Sequence, residues 1–316
     1  MSQKSQVVVI GDIFADMISR VISYPSNGDG TYGTPLERIG GGTGGNVAAG
    51  LGTLKVPTTM ISRLGDDETG RFLKEDLAAN GVDTSGIVLD SDTPTGTVVI
   101  TVDPQGERTI FVFALNSAYG KLSIHDVDIL EKIKPKAIFL TGVLLGLEIA
   151  ENTMFEVAKN WKGRARLYFD PNLRHPTDAV PASIRESMQR MSNLCDVVLT
   201  GRSEMAALGL TPQEGQVFIV KCGNEGSHLL DVNGQTVFKV LPTSHIAIDA
   251  TGAGDTFAAA FMSAELRGLG IRESMEFATV AAGISVTSKG ARSMPNIEEI
   301  EDFTQNNKVG GEIIYE

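Results

Sequence analysis

The chain has 316 residues, enough to bury a sizeable core, and its 42% hydrophobic and 21% charged content excludes a disordered or collagen-like polymer. Its formal net charge of −12 argues against standing affinity for nucleic acid or an anionic membrane, since both reward clustered Lys and Arg. The two cysteines, Cys195 and Cys222, have no CxxC or His-spaced partner, so neither a zinc site nor a disulfide framework is expected and both are read as buried, reduced thiols.

Residues 1–6 are polar and too short for a signal peptide, and no run of about 18 apolar residues follows, which predicts a soluble, cytoplasmic protein. Short apolar runs at 7–10, 58–61, 137–140, 167–169, 197–199 and 217–220 read as buried strands. Helical patterns at 70–79, 124–133, 148–160, 182–191, 203–208, 256–266 and 273–287 alternate with them. Such alternation predicts a parallel sheet covered on both faces. The segments 95–102 and 108–113, which alternate in polarity around Asp103-Pro104-Gln105-Gly106, read instead as a hairpin of a small projecting sheet able to act as a lid. A second hairpin, 227–230 with 236–240, turns at Asn233-Gly234 and is expected at an edge of the main sheet.

Gly40-Gly41-Gly42-Thr43-Gly44-Gly45-Asn46 formally contains G-x-G-x-x-G, but it does not follow the first strand as a dinucleotide fingerprint must, and residues 36–39 before it read as a lid strand. A helix opened by Asn46 would present backbone and one amide to a small polar ligand; the alternative is a plain N-cap. There is no G-x-x-x-x-G-K-[ST], which excludes a P-loop NTPase.

The run Asp249-Ala250-Thr251-Gly252-Ala253-Gly254-Asp255 puts two small-residue turns and an aspartate at the mouth of the helix 256–266. Unpaired N–H groups there, with the positive end of the helix dipole, form a cradle for anionic oxygens. A carboxylate in the same turn suits a base acting on a hydroxyl nucleophile beside a bound phosphate; the alternative is an N-cap.

Together, the glycine cluster with Asn46 and the run ending at Asp255 resemble the two signatures of the ribokinase-like carbohydrate kinases, the PfkB family. Gly11 and Asp16, Gly65-Asp66-Asp67 with Gly70, Asp170-Pro171-Asn172-Leu173-Arg174, and Lys221-Cys222-Gly223 with Gly226 extend the match in the right order. The resemblance implies a single α/β domain over 1–316, with a doubly wound, mostly parallel sheet, helices on both faces and a small β lid from segments near 13–40 and 95–114. It implies an ATP-dependent kinase in which Asp255 takes the proton of a primary hydroxyl while N–H groups of Gly252, Ala253 and Gly254 form the anion hole.

By matching position, Asp16, Gly42 and Asn46 contact sugar hydroxyls, and Asn116, Asn172 and Arg174 also lie on the substrate side. The alternative for Asp16 is a solvated strand-end carboxylate. Lys221, Gly223, Gly226, Thr251, Gly252 and Gly254 match nucleotide-facing positions. Glu204 matches a residue tied to Mg²⁺ through water, although Gly201 replaces the asparagine of the family's Asn-x-x-Glu motif, with Arg202 as a compensating charge; a first-turn glutamate also simply suits a helix. Backbone near Asp249 and Thr251, with the loop 288–293, matches a monovalent-cation (K⁺) site of some relatives. Thr279 stands where many relatives carry an asparagine near the adenine. Relatives also dimerise through the lid, where Thr97, Val99 and Thr101 alternate with Val98, Ile100 and Val102.

The substrate signals are mixed. Asp170-Pro171-Asn172-x-Arg174 is similar to fructokinases and 2-keto-3-deoxygluconate kinases, yet Ala114 and Leu115 remove the cation that a sugar acid would use. Asn116 is closer to ribokinase and nucleoside-kinase usage, while Phe14 and Thr43 depart from ribokinases. A neutral sugar is favoured, with a nucleoside stacked on Phe14, Phe111 or Phe113, or a sugar acid, as alternatives. A non-catalytic sensor on the same fold is the rival from another class.

Overall fold

Residues 6–307 and 310–314 are described in a computed structural model, so residues 1–5 of the polar N-terminal segment lie outside them. In the first half, the elements are β1 (Val7–Ile10), β2 (Phe14–Arg20), β3 (Glu37–Gly41), α1 (Thr43–Thr53), β4 (Thr58–Gly65), α2 (Glu68–Ala79), β5 (Asp83–Asp90), β6 (Thr97–Val102), β7 (Arg108–Phe113), α3 (Ile129–Ile133), β8 (Ala137–Thr141) and α4 (Glu148–Trp161). The second half adds β9 (Arg166–Asp170), α5 (Ala182–Leu194), β10 (Val197–Gly201), α6 (Arg202–Leu208), β11 (Val217–Lys221), β12 (Ser227–Leu230), β13 (Thr236–Val240), α7 (Ala253–Leu266), α8 (Ile271–Ser285), α9 (Ile297–Asn306) and β14 (Gly311–Ile313).

Among the described residues one sheet has ten strands, ordered β14-β13-β12-β11-β10-β9-β8-β1-β4-β5. It is parallel from β5 to β11 and antiparallel from β12 onwards. β1 lies between β4 and β8, with Val8 opposite Thr59 on one side and Ile138 on the other. Its side chains alternate between two cores. Val7 and Val9 pack with Leu51 of α1, Leu77 of α2 and Phe261 of α7, whereas Val8 and Ile10 pack with Met154 of α4 and Met188 of α5. The chain leaves β1 on one side for β4 and β5, then returns to the other side for β8. That reversal opens a crevice beyond the carboxyl ends of β1 and β8, the place where such sheets bind ligands.

A second, four-stranded sheet is ordered β3-β2-β6-β7, with β2 and β6 parallel and the other pairs antiparallel. β3 runs directly into α1, so this sheet is anchored at the mouth of the crevice. Its outer strand leaves Ile110, Phe111, Val112 and Phe113 exposed. Phe111 and Phe113, two of the aromatics offered for stacking on a nucleoside, thus stand exposed on this strand. Phe14, in contrast, is buried edge-to-face against Tyr119, 5.0 Å between ring centroids.

Several elements differ from the sequence pattern. The stretch 124–133 is a short 3₁₀ turn, Ile124–Val127, followed by α3. Its break has a cause: the Asp126 carboxylate accepts from Ser123 N–H (2.7 Å) and from Arg63 Nε (2.9 Å), which holds the first turn apart from the helix. The β12–β13 hairpin is not the sheet edge, because β14 pairs beyond it. The helix expected from Thr256 starts at Ala253, and β5 and α9 were not marked by periodicity. Cys195 is buried but Cys222 is only half-buried, and both thiols are free.

Candidate active site

The crevice is built from strand ends. Asp12 follows β1 and is fully buried, with burial pushing its carboxyl above the usual range. It accepts from the N–H groups of Thr43 (2.9 Å) and Gly44 (3.3 Å), while its carbonyl accepts from Gly45 N–H (2.9 Å). Asp12 thus satisfies the first donors of α1 from outside the helix, a role that normally falls to an N-cap. This corrects two expectations. The helix opens at Thr43, with Gly42 (φ 83°) as its N-cap, and its backbone donors are spent on Asp12 rather than offered to a ligand. Asn46 keeps only its side chain free for other work.

That side chain reaches Asp255. Asn46 Nδ2 donates to Asp255 Oδ2 at 2.8 Å, joining α1 to the first turn of α7. Gly252 in the left-handed region (φ 78°) caps α7, so Asp255 is the third helical residue and is not the N-cap. The carboxyl is 8% exposed, and burial pushes it up to about 7 against the opposing effect of the Asn46 bond. Asp170 raises it further, and Lys221 and Arg174 draw it down. Of the three N–H groups expected in the anion hole, that of Ala253 turns back to the Ala250 carbonyl at 3.2 Å, leaving those of Gly252 and Gly254 as donors. A Cβ on Gly252 would lie 2.3 Å from the Ala291 carbonyl oxygen, so both φ and space require glycine. A Cβ on Gly254 would lie 3.3 Å from Lys221 Nζ, which places the ammonium against the same turn. Two amides and one ammonium fit an anionic oxygen there.

Lys221 is held by Asp170, whose Oδ2 lies 2.5 Å from Nζ. Pro171 to Arg174 then crosses to α1: Asn172, at φ 39°, donates to Thr43 Oγ1, and Arg174 Nη2 reaches the same oxygen at 3.2 Å. The Arg174 guanidinium is otherwise exposed and acts electrostatically on Asp12, Asp16 and Asp255. Glu204 accepts from Gly201 N–H and from Leu173 N–H, both at 2.8 Å, so it satisfies the N-cap backbone of α6 and anchors the Asp170–Arg174 loop. Arg202 faces Glu225 through two 2.9 Å contacts, away from the place its compensating charge would serve. Among the described residues no group of three or more His, Cys, Asp or Glu is arranged to hold a metal.

On the lid side, Asp16 stands on β2 between Ile39 and Val98; burial pushes its carboxyl to about 6, opposed by Arg292 and Arg174. Asn116 lies exposed at the end of the lid with φ 58°, a backbone asparagine tolerates, and joins none of these bonds. At the far end, Gly223 (φ 57°) opens onto free space, whereas Gly226 (φ 87°) is required by the turn, a Cβ there lying 1.9 Å from the Val240 carbonyl. Thr279 is buried and bonded to Ser227 at 3.0 Å. Asp249 accepts from Thr251 N–H (2.9 Å), Thr251 Oγ1 (2.6 Å) and Gly290 N–H (3.1 Å), and meets Arg108 of β7 at 3.0 Å. Burial alone would raise its carboxyl; these partners hold it well below the usual range. No local pattern marks the side chains of Asp12, Arg108 or Arg292 for this site, because their partners lie far away in the chain.

A doubly wound sheet whose rim sets a buried carboxyl beside an anion-binding helix mouth, under a β lid, defines a ribokinase-like sugar kinase. The family described as pfkB family carbohydrate kinase matches residues 4–298. The chain is 28% identical over 306 residues to a ribokinase of Bacillus subtilis, covering 94% of this chain and 98% of that one. It is 25% identical over 320 residues to a 5-dehydro-2-deoxygluconokinase of Geobacillus thermodenitrificans, covering 95% and 93%. A sugar kinase of Pyrococcus horikoshii, solved in complex with ATP, superposes with a TM-score of 0.80 at 28% identity, covering 93% and 96%. The chain belongs to the pfkB family of carbohydrate kinases and is a phosphotransferase. A non-catalytic sensor is thereby set aside.

Proposed function

We propose that the chain acts as one kinase unit, transferring the γ-phosphoryl group of ATP to a primary hydroxyl of a neutral keto- or aldo-sugar held between the small sheet and the rim of the large one. The observation that carries this reading is the buried Asp255 carboxyl, which burial pushes up to about 7, set in the same turn as the N–H groups of Gly252 and Gly254. A base is most effective when its pKa lies near the working pH. Ionised Asp255 accepts the hydroxyl proton; the hydroxyl oxygen attacks phosphorus and the bond to the ADP oxygen breaks. Gly252 and Gly254 N–H groups and Lys221 stabilise charge on the phosphoryl oxygens. Asn46 and Asp16 border the sugar, and the segment of Lys221, Gly223 and Gly226 borders the nucleotide.

Mg²⁺ would arrive with the triphosphate and neutralise its charge, held by phosphate and water with Glu204 at one remove, since Glu204 already accepts two backbone donors. Backbone around Asp249 and Thr251 is the candidate place for K⁺, tested by replacing K⁺ with tetramethylammonium. The exposed Ile110–Phe113 strand supports a homodimer through the lid, tested by sedimentation.

A sugar acid is the second reading, supported by the exposed Arg174 guanidinium over the carboxylates. ADP release over ribose, fructose, 2-keto-3-deoxygluconate, adenosine, inosine and pseudouridine, with Asp255→Asn as blank, separates the two readings. Turnover of the sugar acid alone would overturn the neutral-sugar reading, and equal turnover in the blank would overturn the base.

A further inference from the structure

Arg292 lies in the loop between α8 and α9, with its side chain 14% exposed, and no side-chain role was read for it in the sequence. Its Nε donates to Asn46 Oδ1 at 3.3 Å, its Nη2 reaches the Gly41 carbonyl at 3.5 Å, and its Nη1 pairs with Asp76 of α2. The guanidinium fills the room beneath the glycine cluster: a Cβ on Gly40 would stand 2.1 Å from Nη1, and one on Gly45 2.8 Å from Nη2. The same loop sends Gly290 N–H to Asp249 and presses the Ala291 carbonyl against Gly252. One short segment therefore touches both the anion turn and the side chain that bonds the base.

A guanidinium has five donors and no acceptor, so the atom of Asn46 that faces Arg292 must be its oxygen. The amide nitrogen is then forced toward Asp255. A donor in that position favours the ionised carboxylate; an amide turned the other way would present oxygen and favour the protonated acid. We infer that Arg292 is a positioning residue for phosphoryl transfer, locking the Asn46 amide so that its N–H group keeps the base in the form that accepts a proton. The inference rests on the assignment of Asp255 as base. The other groups acting on Asp255 are Asp170 from β9, Lys221 from β11 and Arg174 from the loop after β9; those acting on Arg292 are Asp16 from β2 and Asp76 from α2. None of them sets the orientation of the amide.

The test is a ¹³C NMR titration of the Asp255 carboxyl in the full-length protein, wild type against R292K and R292M, with the resonance identified by its loss in D255N. Lysine is the conservative probe. It keeps a cation near Asp16 and Asp76 but places a methylene where Nε stands, so it removes the bond to Asn46 and spares the charge. The expected result is an upward movement of the midpoint by about one pH unit in both variants, equivalent to about a tenfold smaller ionised fraction on the acid side. A wild-type midpoint in folded R292K overturns the inference, since the charge alone would then suffice. If R292M does not fold, R292K decides. Wild-type turnover in D255N would end the base assignment itself, whereas an unmoved midpoint ends only the role of Arg292.

Discussion

The rim of the large sheet and the small lid sheet differ in how each side chain is held. At the rim, buried polar groups are bonded across elements: Asp12 to α1, Asp170 to Lys221, Glu204 to the loop after β9, and Asn46 to Asp255. In the lid, β7 is exposed on both faces, and its described polar tie to the rim is Arg108, which donates to Thr251 Oγ1 (2.7 Å) and meets Asp249 (3.0 Å). Reacting groups need placement within fractions of an ångström, which packed and bonded elements supply. A cover that must admit substrate needs few buried contacts, because low local stability permits opening. On the proposed function, chemistry falls mainly to the large sheet and access to the small one.

The sharpest break of this comparison is Asp255→Asn, which keeps the shape of the rim and removes the proposed base. Turnover should fall about 10² to 10⁴-fold while ATP and sugar binding, followed by calorimetry, stays near wild type. Gly252→Ala tests whether the rim tolerates distortion. The left-handed conformation costs about 1–2 kcal/mol for a non-glycine residue, and the methyl would meet the Ala291 oxygen. Turnover is expected to drop at least about tenfold, together with a fall of at least about 3 °C in Tm by scanning calorimetry.

Titration probes the rim without mutation. If Asp255 acts as the proposed base when ionised, with burial pushing its carboxyl up to about 7, kcat/KM should rise with pH through neutrality and fall about tenfold per unit well below it. A rate that stays flat from pH 5.5 to 8 would detach the base from the rate. The smallest effect belongs to the lid. Its Arg108 contact is partly exposed, and such pairs are worth about 0.2–1 kcal/mol, so Arg108→Ala should raise KM for the sugar about two- to fivefold and leave Tm unchanged. A collapse of kcat in that variant would mean that the lid takes part in chemistry.

The two halves also differed in what the amino-acid sequence revealed. The buried parallel strands were legible because their apolar runs, such as Val7 to Ile10, have no solvent face. The β6–β7 hairpin was legible through its turn residues and alternation. Strand β5 was not, because its Asp, Thr, Ser and Gly residues mask a strand whose Gly86 passes close to the Met60 carbonyl. Site residues showed the same division. The glycine turn and Asp255 form one local pattern, so their proximity could be read directly. Asp12 capping a helix that starts at Thr43, or Arg292 meeting Asn46, leaves no trace in local spacing, since each contact exists only once the sheet has brought distant segments together.

The guanidinium of Arg292 beneath Gly40 and Gly45 makes one steric unit of two neighbouring positions and a third far along the chain. A side chain gained at either glycine would have to displace the guanidinium end, so the changes tolerated at positions 40, 45 and 292 are coupled. Shortening position 292 first should make a later alanine at position 40 less disruptive than the same change made with the arginine in place.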